Sequence, residues 1–185
     1  MNVSGERTFA APRATVWQVL NDPASMAKTM PGVESFDIHD DKRWTANVKI
    51  PLGLGGLKMK VDMEKIEERE PEFAKLAVKG NGVGAMMNMQ TSFTLSDAPE
   101  GGTAMAWSAD VKIAGPVGSM GQRVLQPIVN QQVQHVLTAL DGEVQAAIGQ
   151  GGGEPATHGA EEGISPASPK AYEADPEGPT TSTED

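Results

Sequence analysis

Gly115 to Ile148 limits the possible folds of this chain more than any other stretch. From Val129 onward the apolar residues are Val129, Val133, Val136, Leu137, Leu140, Val144, Ala147 and Ile148. At ~3.6 residues per turn they make one stripe roughly 120° wide. Gln131, Gln134, His135, Thr138, Asp141 and Gln145 fall on the other side. Upstream, Val117, Met120, Val124, Leu125 and Ile128 are also helically spaced, but their stripe is rotated relative to the later one. Pro127 stands at the change-over. A proline inside a helix removes a backbone donor and bends the axis, at ~3 kcal/mol or more. The pattern predicts one long amphipathic helix, bent or newly started near Pro127, whose apolar side needs a broad partner. A sheet is the natural one.

The middle of the chain encodes that sheet. Trp44, Ala46, Val48 and Ile50 alternate with Thr45, Asn47 and Lys49. Leu57, Met59, Val61 and Met63 alternate with Lys58, Lys60, Asp62 and Glu64, and Ala74, Leu76 and Val78 with Lys75 and Lys79. Met87, Met89, Thr91, Phe93 and Leu95 are interleaved with polar residues, as are Met105, Trp107, Ala109, Val111 and Ile113. Such a period of two marks antiparallel strands with one dry and one wet face. Turn chemistry separates them at Asp40–Asp41, Glu70–Pro71 and Asp97 to Gly102. Residues 2–9 read as a first strand, and a short one falls near Phe36 and Ile38. Pro12 suits the start of a helix to Leu20 that buries Val16, Trp17, Val19 and Leu20. Asn21, Asp22 and Pro23 break it, and a second short helix runs to Met30, ended by Pro31 and Gly32. The predicted class is α+β: a curved antiparallel sheet of six to seven strands, two short helices after the first strand, and a long C-terminal helix across the sheet.

Charge divides the chain in two. Of its 25 acidic residues, eight lie in residues 151–185, against Lys170 alone. We expect a globular domain over 1–149 and a disordered, acidic, Gly/Pro-rich tail over 150–185, because so few large apolar side chains cannot offset ~1–2 kcal/mol of ordering entropy per residue. A nucleic-acid partner is not expected, for want of a basic block. The absence of cysteine excludes thiolate chemistry and fits a reducing cytosol. Glu6 and Arg7 interrupt any signal-peptide core, and no run approaches the ~18 apolar residues that a membrane span needs.

Three stretches resemble a known family: "RTFAAPRATVWQVLNDPASMAKTMPGVES", "GNGVGAMMNMQTSFTL" and "ADVKIAGPVGSMGQRVLQPIVNQQVQHVL". In the first, Pro12, Val16, Trp17, Leu20, Asp22 and Pro23 followed by Met30, Pro31 and Gly32 are the more specific part. They resemble the helix-grip (START-like, SRPBCC) superfamily and, within it, the CoxG family of carbon monoxide dehydrogenase. The resemblance implies a hydrophobic cavity between sheet and long helix. It also implies partnership with a carbon monoxide dehydrogenase-like molybdenum hydroxylase, docked at the cytoplasmic face of the membrane where electrons reach the quinone pool. The sequence ends in "TTSTED" rather than an apolar helix. Peripheral membrane contact is therefore expected from elsewhere in the chain, unless the chain is a shortened one.

Signals for catalysis are poor. His39, His135 and His158 lie far apart, and no spacing suggests a metal site or a nucleophile–base pair. Glu64, Glu67 and Glu68 read as a solvated strand edge, and Thr91 is the one polar side chain that strand alternation turns inward. No catalytic residue, metal or covalently bound cofactor is assigned. The methionines say more. Met59, Met63, Met87, Met89 and Met105 fall on the dry face, with Met120 facing them from the helix approach. Such polarizable side chains either fill an irregular core or line a site for an apolar guest. With the resemblance, the ligand reading places a quinone or other lipid against Leu57, Met59, Met63, Met87, Met89, Phe93, Met105, Trp107, Met120, Val124 and Ile128. Leu52, Leu54, Gly55 and Gly56 belong to a glycine-rich loop that is either a wide turn folded on the core or a mobile gate. Gln122 and Arg123 could meet a quinone carbonyl or carboxylate, or Arg123 could simply cap the surface. The expected function is a non-enzymatic lipophilic-ligand accessory of the molybdenum enzyme. The alternatives are a docking factor without ligand, or a small cyclase or hydrolase on the same fold.

Overall fold

Strand alternation does build the sheet. The structure is a computed structural model that describes residues 1–52 and 55–151. Its seven antiparallel strands are β1 (Asn2–Phe9), β2 (Val33–Ile38), β3 (Arg43–Leu52), β4 (Gly55–Arg69), β5 (Phe73–Gly82), β6 (Ala85–Asp97) and β7 (Thr103–Ala114). They lie in the order β1-β7-β6-β5-β4-β3-β2. Consecutive strands from β2 to β7 are neighbours, and β1 pairs with β7 because α1 (Arg13–Asn21) and α2 (Pro23–Thr29) carry the chain to the opposite edge. Register keeps like with like: Trp44 lies opposite Met63, Ala46 opposite Val61, Val48 opposite Met59. Those six are buried, while Asn47 and Lys60 on the other face are exposed.

Local chemistry sets the two short helices. Val16, Trp17 and Val19 are the buried side of α1. The Asp22 carboxylate caps α2, accepting from the Ala24 and Ser25 N–H groups and from the Ser25 hydroxyl. The hydroxyl of Ser25 holds the Asp22 carboxyl below its ordinary range. Gly32 then turns the chain into β2 with φ +69°, and its carbonyl accepts from the Lys49 N–H at 2.8 Å. A Cβ at Gly32 would collide with the Lys49 carbonyl oxygen, so backbone contact fixes this corner.

The terminal helix differs from expectation at its start. Val117 and Met120 belong to a separate 3-10 turn, Gly118–Met120, and α3 runs unbroken from Gln122 to Gly151 with Pro127 inside it. The break falls at Gly121, whose φ of +78° ends the turn, and the Val124 and Leu125 N–H groups bond back to its carbonyl. Change of backbone hand at Gly121, not loss of a donor at Pro127, breaks the helical phase, so Val117 and Met120 leave the helix while Val124, Leu125 and Ile128 share α3 with the later stripe. Pro127 sits on the exposed side of the helix. Asp141, expected on the wet side, pairs instead with Arg7 of β1, and Glu143 accepts from Lys28 of α2 at 3.3 Å. These part-exposed pairs orient the C-terminal half of α3 more than they stabilise it, at ~0–1 kcal/mol each. Leu54 and the tail from residue 152 fall outside the described residues. No described helix is long and apolar enough to cross a membrane.

Candidate functional site

Two apolar clusters share the concave face of the sheet. The first gathers Phe9, Val16, Trp17, Phe93, Leu95 and Met105, with Leu137, Leu140 and Val144 of α3 closing over them. The second lies on β3, β4 and β5 around Trp44, Val48, Met59, Val61, Met63 and Val78, and no α3 residue packs into it. Leu76 touches both. Helix α3 thus packs on the first cluster through Val133 and the residues that follow, and Leu125 near its start is buried as well, at 5 % exposure. A strip of inward-facing side chains, Leu57, Leu76, Met87, Met89 and Trp107, stays half-buried. Ile128, Val129 and Gln132 of α3 are half-buried as well.

The sequence-predicted lining separates into three groups. Met59, Met63, Phe93 and Met105 are packed, at 5, 7, 8 and 3 % exposure. The Met63 sulfur accepts from the Trp44 indole N–H at 3.1 Å, and the Met59 and Met87 methyls meet over Gly80, where a Cβ would stand 2.7 and 3.2 Å from them. Phe93 meets Trp17 edge-on with ring centroids 6.0 Å apart. Leu57, Met87, Met89, Trp107 and Ile128 form or flank the half-buried strip. Met120 and Val124 point instead to solvent at the end of the molecule that carries the β3–β4 and β5–β6 hairpins, together with Val83 and Met86. There the 3-10 turn is tied to the β5–β6 hairpin by the Val117 N–H, which donates to the Gly84 carbonyl at 3.0 Å. Of the loop residues, Leu52 is half-buried and Gly55 and Gly56 are exposed; Gln122 and Arg123 are exposed too.

Polar groups reach the interior where strand alternation does not put them. The Thr91 hydroxyl donates to the Ser108 carbonyl at 3.0 Å and is thereby satisfied. Both amide atoms of Gln132, and Nε1 of Trp107, are buried without a hydrogen-bond partner. An unpaired buried polar group costs ~1–3 kcal/mol. One signal in the sequence marked Gln132: it stands four residues from both Ile128 and Val136, inside the apolar stripe rather than across from it. Trp107 gains its place through Gly5 of β1, where a Cβ would lie 3.0 Å from ring atom Cζ2 and 3.2 Å from Nε1.

Two surface cavities, of about 350 and 480 Å³, open at the opposite end, near the junction of α1 and α2. Lys42, Lys65 and Glu68 line both, and none of the predicted lining residues takes part. On the wet face, His39 Nε2 lies 2.8 Å from the Thr45 hydroxyl, which donates to Asp62 at 2.8 Å. That hydroxyl proton is committed to a carboxylate, which ties β3 to β4 rather than creating a nucleophile. Among the described residues no group of His, Asp and Glu is placed to hold a metal ion.

Solved structures of similar fold cover nearly their whole length with this chain. A conserved protein from Geobacillus kaustophilus aligns at TM-score 0.74 and 20 % identity, over 80 % of this chain and 97 % of that one. The Zhui aromatase/cyclase from Streptomyces sp. R1128 aligns at 0.63 and 17 %, over 83 % and 99 %. A START superfamily protein from Mycobacterium smegmatis aligns at 0.59 and 16 %, over 78 % and 97 %. Identities this low show a shared helix-grip fold and not a shared activity. No curated protein matches the chain. The family model of CoxG, the G subunit of carbon monoxide dehydrogenase, matches residues 5–145. With the fold and that match over most of its length, the chain belongs to the CoxG family of carbon monoxide dehydrogenase.

Proposed function

We propose that this protein is a non-enzymatic, cytoplasmic carrier. It would hold a lipophilic molecule, a membrane quinone or a similar isoprenoid, and couple a carbon monoxide dehydrogenase-type molybdenum enzyme to the inner face of the membrane. The observation that carries the reading is the half-buried strip of Leu57, Leu76, Met87, Met89 and Trp107, the first four of which pack on the second cluster, where no described α3 side chain joins them. Methionines there can repack around a flexible guest. Each Å² of apolar guest surface kept from water is worth ~25 cal/mol. The family supports the choice of enzyme partner. The test is solvent extraction of the purified protein: a co-purifying lipid or quinone is expected. Finding none, together with no uptake of added quinone, would end the ligand reading.

Membrane contact has its own support. Val83 is 95 % exposed, and Met86, Met120 and Val124 are also exposed, at the end where the strip meets the hairpins. Lys49 and Lys79 stand three residues from those hairpin ends on the wet face, and Arg123 opens α3, while Lys58 pairs with Glu34 and Lys112 with Asp110. The sequence has no acidic residue between Lys112 and Leu140. Asp40, Asp41, Glu67, Glu70, Glu72 and Asp97 lie at the other end. An apolar tip flanked by Lys49, Lys79 and Arg123 fits an anionic bilayer surface, where each nearby cation contributes ~1 kcal/mol. The full chain is expected to sediment with vesicles containing phosphatidylglycerol and to detach as salt rises. Replacing Val83 and Met120 together by Ser should weaken that binding roughly tenfold. Equal sedimentation of the double variant would place the contact elsewhere.

A further inference from the structure

We propose that Gln132 and Trp107 form the polar end of the ligand strip and select a lipophilic molecule that carries a carbonyl or hydroxyl oxygen, whether oxidised or reduced. This rests on the carrier reading above. Three buried polar atoms here have no partner in the protein: Gln132 Nε2, Gln132 Oε1 and Trp107 Nε1. They come from β7 and α3, two elements that both contribute to the first cluster. Trp107 packs into the first cluster from β7, and so does Val133, the chain neighbour of Gln132 on α3. Around them the surroundings are apolar, with Ile128, Val129 and Val136 on the same stripe of α3 and Met105 and Ala109 flanking Trp107 on β7.

The atom types specify the guest. An indole N–H only donates, whereas a carboxamide donates from one side and accepts on the other. A guest carbonyl accepts from Trp107 Nε1–H and Gln132 Nε2–H. A guest hydroxyl accepts from Trp107 and donates to Gln132 Oε1, once the amide has turned end for end. A single Gln–Trp pair therefore serves both forms of a molecule whose oxygen alternates between carbonyl and hydroxyl. A carboxylate in Gln132's place could not donate to a carbonyl, and a lysine could not accept from a hydroxyl.

The experiment is equilibrium dialysis of the full chain against menadione, menadiol held reduced by dithionite, and methylnaphthalene, which has the same rings without oxygens. Menadione and menadiol are expected to bind with affinities within a factor of about three, and methylnaphthalene roughly tenfold more weakly. Gln132→Met should bring both oxygenated ligands most of the way down towards the hydrocarbon's level, the Trp107 N–H remaining as one donor. Trp107→Phe should weaken both in part. Because Gln132→Met removes unpaired buried atoms, its thermal midpoint should equal or exceed that of the parent chain. Gln132→Leu serves as the second variant if the first folds poorly. Equal binding of methylnaphthalene and menadione by the parent chain, or an unchanged preference in Gln132→Met, overturns the assignment while leaving the carrier reading in place. If none of the three binds, the carrier reading falls and takes this inference with it.

Discussion

A Met89→Trp chain is expected to keep its fold and lose its guest. Met89 lies on β6 opposite Val78 of β5 and Val111 of β7, half-buried, in the middle of the strip. An indole at that position would occupy the guest's place. Displacing roughly 100 Å² of apolar ligand surface at ~25 cal/mol per Å² removes ~2.5 kcal/mol, nearly two factors of ten in affinity. Stability reports separately. Forcing an indole into a closed core costs ~1–3 kcal/mol through displaced rotamers and backbone, whereas an indole entering an open strip adds buried area. The urea midpoint should therefore stay close to the parent's while lipid uptake falls about a hundredfold. A midpoint that collapses would show the strip already filled by the protein's own side chains. Uptake at parental level would show that the guest does not lie there. If the variant still recruits the molybdenum enzyme, docking is independent of the guest.

Trp17→Ala should do the opposite: large loss of stability, little loss of affinity per folded molecule. Trp17 is 4 % exposed on α1, edge-on to Phe93, in the cluster that Leu137, Leu140 and Val144 close. Truncating a buried tryptophan to alanine costs ~3–5 kcal/mol, and its aromatic pair with Phe93 accounts for ~0.5–1.5 kcal/mol of that. For a domain of this size the melting temperature should fall by roughly 10 °C or more. Trp17→Phe, which keeps an aromatic ring, should recover most of it. A loss below ~1 kcal/mol would contradict the placement of the stabilising core at the α1–α2 end. The expected division of labour follows from the packing: Leu137, Leu140 and Val144 of α3 close the first cluster and hold the fold, and the guest proposed above lies away from them.

Much of this architecture could be read in advance from local periodicity. The alternation from Trp44 to Ile113 located the inward faces, because strand geometry turns successive side chains to opposite sides whatever they pack against. The α3 stripe from Val129 to Ile148 was legible for the same kind of reason. Met120 was misplaced because Gly121, with its positive φ, breaks the helical phase that the count carried through, and Val124 because its neighbour Leu125 takes the buried side of α3. Gln132 was passed over because strand alternation says nothing about polar residues on a helix. Among the methionines, Met59, Met63 and Met105 are packed while Met87 and Met89 are half-buried, although all five look alike in one dimension.

Sequence by itself determined which faces of the strands and of α3 are apolar, since these depend only on residue order and on the fixed geometry of helix and strand. Tertiary structure alone decided how that apolar surface is shared out. Trp17 meets Phe93, Trp44 gives its N–H to Met63, and Arg7 catches Asp141, so the C-terminal half of α3 is held down while the buried polar atoms of Gln132 and Trp107 are left without a partner among the described residues. The physical reason is that burial and hydrogen-bond partnership are properties of what comes opposite, and what comes opposite lies far away along the chain.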